Sequence, residues 1–228
     1  TLPDPDRYYK GGGPDLKLVD PNFISVDPQQ KVNDAFALEK EVLGTDDRVI
    51  SVSTSYRDGS SGSVMVASNG FEGDTETTFY SLSASVSVSD GVARPQGSWY
   101  ESSIFNDELI RKDIGTKALK RAVDRLGQAK IASGKMPMII ENKMAGGALR
   151  PLISALNGYA IQQKQSFLIG MQGKKIGSDL MSIEDDPFIV SGRGSRLFDS
   201  EGMATEKRSV VEKGILRTYY IDTYYAKK

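Results

Sequence analysis

The chain has 228 residues, 39% of them hydrophobic and 26% charged, an ordinary globular balance with length enough for a sizeable core. Its formal net charge of −1 offers no basic surplus to a nucleic acid. It has neither cysteine nor histidine, which excludes disulfides, thiolate chemistry, the commonest zinc ligands and the usual neutral-pH general base.

In chain order, Thr1-Leu2-Pro3-Asp4-Pro5-Asp6 is acidic and Pro-rich rather than basic and then apolar, unlike a secretory signal. No run reaches the roughly 18–20 apolar residues of a membrane span, so a cytoplasmic location without membrane contact is expected. Residues 1–26 read as loop. Asp27-Pro28-Gln29-Gln30 starts a helix over Asp27–Leu43: Asp caps it, Pro occupies the first helical position and Gln completes a capping box. Val32, Ala35, Phe36, Val42 and Leu43 supply its apolar stripe and Gly44 ends it.

A meander follows. Val49–Tyr56 and Gly62–Ser68 read as strands joined at Asp58-Gly59, and Asn69-Gly70 signals a further turn. In Phe79–Ser89, Leu82, Ala84, Val86 and Val88 alternate with Ser81, Ser83, Ser85, Ser87 and Ser89, the mark of a strand with one wet face. That serine face is expected to be an outward surface rather than a cleft wall. Asp90-Gly91 turns into a strand over Val92–Ser102, interrupted by Pro95 and Gly97.

Asp113–Lys130 reads as a second helix, with Ile114, Ala118, Ala122 and Leu126 along one side and Lys117, Lys120, Arg121 and Arg125 on a solvated face. Met138-Ile139-Ile140 is expected to be a short buried strand, Ala145-Gly146-Gly147 a turn, and Leu149–Leu156 a helix stopped by Asn157-Gly158. Ser166–Gly170 and Lys174–Ile176 read as short strands, and most of the stretch to Gly194 as loop. Arg208–Glu212 and Ile215–Ile221 flank Lys213-Gly214 as a hairpin, and Phe198–Gly202 ahead of it is a tight acidic loop.

Phe198-Asp199-Ser200-Glu201-Gly202, the charged strand after it, the Gly214 turn and the Tyr-rich run ending in Tyr225-Ala226-Lys227-Lys228 together resemble the TldD/PmbA family. The likeness extends through Met136–Leu149, Gln165–Leu168 and Ile183–Pro187, so its specific part spans about Met136–Lys228. Family members continue beyond this point, so the chain reads as a piece cut at both ends. The expected architecture is α+β: antiparallel sheets with flanking helices over 1–134, then the start of a second, β-rich unit over 135–228.

In the TldD branch the helix after the glycine turn carries a His-Glu-x-x-x-His motif, two imidazoles for one metal and a carboxylate beside its water. The resemblance puts those positions at Arg150, Pro151 and Ala155. Arginine stays protonated, and proline and alanine side chains have no donor atom, so no metal or catalytic residue is expected in this chain. The carboxylate clusters Glu184-Asp185-Asp186 and Asp199/Glu201 lack the spacing of a calcium loop, and no serine-hydrolase elbow is present. A glycosidase pair of carboxylates brought together by folding stays open.

The resemblance implies the PmbA branch, also called TldE. Such a chain is a subunit without the metal motif that shapes the chamber of a metalloprotease acting on unfolded or leader peptides, zinc being held by a TldD-type partner. On this reading Ser166, Phe167, Asp199, Glu201 and Gly202 are the candidates for contact with an extended peptide. The alternatives are a self-associating peptide binder without proteolysis and a direct modulator of DNA gyrase, the role behind the family's older name.

Overall fold

A computed structural model describes residues 2–228. An N-terminal arm leads into helix α1 (Pro28–Lys40), where Asp27 accepts a hydrogen bond from the Gln29 amide at 2.9 Å. The helix lies on Leu38 and Val42, whereas Val32, Phe36 and Leu43, expected in the same stripe, are exposed. Polar pairing sets this roll. Lys31 binds Asp58, Asp34 accepts from Arg111 at 2.8 Å, and Glu41 reaches the next helix, so residues 31, 34, 38, 41 and 42 form the inward face.

Strands β1 (Val49–Val66), β2 (Glu72–Val88) and β3 (Gln96–Ser103) form an antiparallel sheet in that order. The turn expected at Asp58-Gly59 is absent, and β1 runs straight through, pairing Asp58 with Tyr80 and Gly59 with Phe79. Gly59 is there for space: a Cβ would stand 2.6 Å from the Phe79 ring. The reversal falls at Ala67–Gly70, where the Gly70 amide bonds the Ala67 carbonyl at 3.0 Å and Gly70 has φ +100°.

Helix α2 (Ile114–Val123) is shorter than the expected Asp113–Lys130, because the chain turns after Val123 and Gly127 takes φ +68°. Its first residue follows a left-handed Asp113 that makes no side-chain cap. The Glu41 carboxylate replaces that cap, accepting from the amides of Asp113 at 2.9 Å and Gly115 at 2.7 Å.

The first core is Tyr80, Leu82, Ala84, Val86 and Val88 of β2 under Leu38, Val42, Ile114, Ala118 and Ala122 of the two helices. Close packing of α2 depends on Gly97, where a Cβ would lie 2.3 Å from the Ala118 carbonyl oxygen. The serines of the opposite face, Ser81 to Ser89, are half-buried and line neither of the two cavities described below. One polar node ties the arm to this core. The buried Asp20 carboxylate accepts from the Tyr80 hydroxyl and the Asn106 amide, both at 3.0 Å, and from the Asn22 amide at 2.9 Å. Burial works to raise its pKa, but these bonds outweigh it and leave the carboxyl below its usual range. Burial also pushes the Tyr80 phenol up, and the charge of Asp20 adds to that.

Beyond residue 130 the expectations hold less well. Met138–Ile140 is not a buried strand: no described strand pairs with it, and Ile139 is 99% exposed. Helix α3 (Asn142–Ala155) starts before the expected glycine turn and carries Gly146 and Gly147 within it, with Pro151 in its interior. Its first turn is fastened to the first unit by polar contacts. Lys143 donates to the Tyr100 carbonyl at 2.7 Å and lies 4.0 Å from the Trp99 ring centre, while Arg121 binds Glu141.

Helix α3 does stop just before Asn157, as expected, and Asn157 then caps a further short helix, α4 (Gly158–Gln162). Ser166–Gly170 is a turn, since the Ser166 hydroxyl donates to the Ala155 carbonyl at 2.6 Å and accepts from the Leu168 amide at 3.0 Å. Of Lys174–Ile176, only Lys175 makes an isolated bridge, to Ile215.

The second sheet is β4 (Ile183–Asp185), β5 (Arg208–Glu212) and β6 (Ile215–Leu216), paired antiparallel in that order; β4 fell in a stretch read as loop. Lys213 and Gly214 turn the hairpin with φ of +47° and +76°, the backbone a two-residue reversal requires. The second strand stops five residues earlier than expected. Tyr219 leaves the sheet to donate its hydroxyl to the Leu168 carbonyl at 2.6 Å, Tyr220 bridges Asn157, and helix α5 (Thr223–Ala226) ends the run. Ala155, Leu156, Leu168, Val210, Val211 and Leu216 make the second core. Antiparallel three-stranded sheets with five α-helices give the α+β class expected. No helix among the described residues is long and apolar enough to cross a membrane.

Candidate functional site

The acidic loop Phe198–Gly202 lies at a seam where the N-terminal arm and the β1–β2 turn meet the second region. Asp199 holds its shape, its Oδ1 accepting from the Glu201 amide at 2.9 Å and the Met203 amide at 3.0 Å. Gly202, at φ +83°, is packed so closely on Phe71 that a Cβ would stand 2.7 Å from the ring. The N-terminal arm clasps the same loop from outside. The Tyr9 amide donates to the Gly202 carbonyl at 3.0 Å, and Tyr8 bridges Met203. Phe198 meets Phe71 at 5.3 Å and Tyr9 at 5.6 Å between ring centres, joining loop, arm and β1–β2 turn in one aromatic cluster.

Two cavities flank this loop. The larger, about 1100 Å³, lies between the arm, the far end of the β1–β2 ribbon and Arg193–Ser200. The smaller, about 300 Å³, is lined by Arg7, Asp185, Arg196, Glu201, Arg208 and Tyr220 among others. Asp199 and Ser200 face both.

In the smaller cavity Arg208 pairs with Asp185 at 3.2 Å and lies 4.8 Å from the Tyr220 ring, while Glu201 accepts from the Thr223 amide at 3.0 Å and hydroxyl at 3.1 Å. Burial and the nearby Asp185 charge raise the Tyr220 pKa. At the rim, Lys207 bridges Glu184 and Asp186 at 2.8 and 2.9 Å, which drives its pKa up to about 12 and draws Asp186 down. The carboxylates of both sequence clusters therefore serve ion pairs and loop geometry.

Of the five candidate binding residues, the fold brings Asp199, Glu201 and Gly202 together at the seam. Ser166 and Phe167 lie outside both cavities, Ser166 buried against Ala155 and Phe167 72% exposed. Phe198 opens the acidic motif itself, whereas Arg196, Tyr9 and Phe71 were not among the candidates. Their one sequence signal is the Asn69-Gly70 turn, which delivers Phe71 to the seam; the others meet only in three dimensions.

The three positions at which the resemblance places the metal motif all sit on α3. Arg150 and Pro151 are exposed and Ala155 is buried, and none offers a lone pair. Among the described residues no three His, Cys, Asp or Glu side chains converge. This donor set does not fit a zinc centre.

Models described as the PmbA/TldA metallopeptidase central domain and C-terminal domain match residues 21–126 and 133–228. The chain is 32% identical over 219 residues to the metalloprotease PmbA homolog of Haemophilus influenzae, an alignment covering 94% of this chain and 48% of that protein. A crystal structure of a proposed modulator of DNA gyrase from Bacteroides thetaiotaomicron superposes with a TM-score of 0.97 at 51% identity, over 100% of this chain and 52% of that one. TldE from Thermococcus kodakarensis shares the fold, with a TM-score of 0.70 at 20% identity over 100% of this chain and 50% of that one. The chain thus spans about half the length of the relatives it matches. Matching both domain models in order, it belongs to the PmbA/TldD family, in the PmbA (TldE) branch.

Proposed function

We propose that this chain is a non-catalytic TldE-type subunit of a two-subunit zinc metalloprotease, in which a TldD-type partner holds the metal and this chain helps to shape the peptide chamber. One observation carries the reading: the helix on which the resemblance places the metal motif presents Arg150, Pro151 and Ala155, in a chain with no histidine or cysteine to substitute. The seam supports the peptide part. An extended chain offers a regular row of amides and carbonyls whatever its sequence, and Asp199 lines both cavities and Glu201 the smaller, where such a chain could pass. The substrate class is an unfolded or leader-bearing peptide, and the setting is cytoplasmic.

Co-expression tests this. The chain and a histidine-bearing TldD-type protein are purified separately and together, and hydrolysis of casein or a leader peptide is followed for each. Activity that needs both and is lost to a chelator is the expected result. Cleavage by this chain alone, surviving the chelator, would overturn the assignment.

A further inference from the structure

β2 is 17 residues long, but β3 covers its outer edge only from Tyr80 to Ser87. Beyond that, the arm adds one bond, from the Thr78 amide to the Leu18 carbonyl at 2.9 Å. Main-chain polar groups alternate sides along a strand, so this bond fixes which residues face outward. The even-numbered residues of β2 turn their amides and carbonyls away from β1, consistent with the Val88 amide bonding the Pro95 carbonyl at 3.1 Å. Glu72, Asp74 and Glu76 therefore point three successive N–H and C=O pairs off the edge. Among the described residues no bond is made to any of them from that side.

This open stretch, about 13 Å long at the usual strand rise, borders the 1100 Å³ cavity, which the arm also lines. The side chains of Glu72, Asp74 and Glu76 share one face of the strand, are exposed and have no ion-pair partner among the described residues. On the other face, β2 and its neighbour present Gly73, Thr75 and Met65 beside Phe71 and Phe198. Edge charges commonly keep sheets from pairing indiscriminately. Here they border a slot that the arm and the Arg193–Ser200 segment also line.

We propose that this slot binds an extended peptide as an added antiparallel strand continuing the line of β3 past Leu18. The peptide carries basic side chains at alternate positions, opposite Glu72, Asp74 and Glu76, and small or apolar ones between. Capture here needs no second protein. Failure of the slot would leave the subunit assignment standing, and failure of co-expression would leave the slot standing.

The probe is a fluorescein-labelled Lys-Val-Lys-Val-Lys amide, titrated with the chain by anisotropy at low salt. Paired across the strand, the lysine amides face β2 and the valine amides face outward. Methylating the lysine main-chain nitrogens should weaken binding about tenfold or more, while methylating the valine nitrogens should change it little. A Glu-Val-Glu-Val-Glu peptide should bind far more weakly, and Asp74→Asn should reduce the salt dependence with the lysine/valine contrast intact. No binding of the parent peptide, equal binding of both methylated peptides, or equal binding of the acidic peptide would each overturn the proposal. Asp74→Pro, which removes one outward amide and no bond to β1, adds a test from the protein side. Should that variant fail to fold, the methylated peptides still decide.

Discussion

The two cores of this chain are built differently. In the first, one long strand lays five consecutive inward residues, Tyr80 to Val88, under two helices, and the approach is close enough that Gly97 and Gly115 leave no room for a Cβ. In the second, the end of α3, the turn after Ser166 and strands of only five and two residues, β5 and β6, share six buried apolar side chains. Much of the second region's apolar surface stays outside, with Met138, Ile139 and Met144 all exposed. The first region is a close-packed layer, and the second is a set of loops held by hydrogen bonds around a small centre.

The largest expected effect comes from driving a side chain between β3 and α2. Gly97→Val should cost upwards of about 3 kcal/mol, because the contact is with helix backbone that cannot rotate away. Urea unfolding followed by circular dichroism measures it, and a change below 1 kcal/mol would mean that the layer is loosely packed after all. Leu156→Ala strikes the second core, for about 2–3 kcal/mol, toward the low end for a buried leucine because so small a core can close in. Hydrogen exchange should show the loss confined to residues of the second region. Exchange rising equally in β2 would erase the distinction between the cores.

The same contrast explains what the sequence made legible. Strict alternation at Leu82–Val88 identifies a strand whose partners are all present, and the family likeness of Phe198–Gly202 found the seam. Polar steering was not legible. Nothing in the stripe Val32, Phe36 and Leu43 reveals that Lys31, Asp34 and Glu41 roll α1 the other way. Nor does Asp58-Gly59 reveal that its glycine makes room for a cross-strand phenylalanine rather than a turn. Met138–Ile140 reads as buried because apolar runs usually are, and a pattern cannot report that no described strand lies beside it. The arm, the aromatic cluster and the free edge of β2 join residues far apart in sequence, which periodicity never connects.

Asp20 tests the joint between arm and first core. Asp20→Asn should destabilise by about 2 kcal/mol, since an amide cannot accept every bond the carboxylate takes. The pH dependence has a definite sign. A carboxyl whose folded pKa is depressed adds stability above its unfolded value, near 4, and loses it as pH falls through the folded one. The wild-type chain should therefore lose stability below about pH 4 more steeply than Asp20→Asn, as urea midpoints across pH 2–6 would reveal. Parallel curves would mean that the carboxylate is not what holds the arm.

The smallest effect is the sharpest probe of the second region. Ile139→Ser should change stability by less than about 0.5 kcal/mol in this chain, where the residue is exposed. A loss of about 2 kcal/mol or more in thermal or urea unfolding would show that the segment is packed as a strand.

Zinc content tests the central claim most directly. The purified chain, equilibrated with excess zinc and desalted, is measured by inductively coupled plasma mass spectrometry beside a histidine-bearing TldD-type protein treated identically. The donor set on α3 predicts that this chain retains none, while the histidine-bearing protein serves as the positive control. One equivalent of zinc retained by this chain, and lost on substitution of its own side chains, would contradict the account.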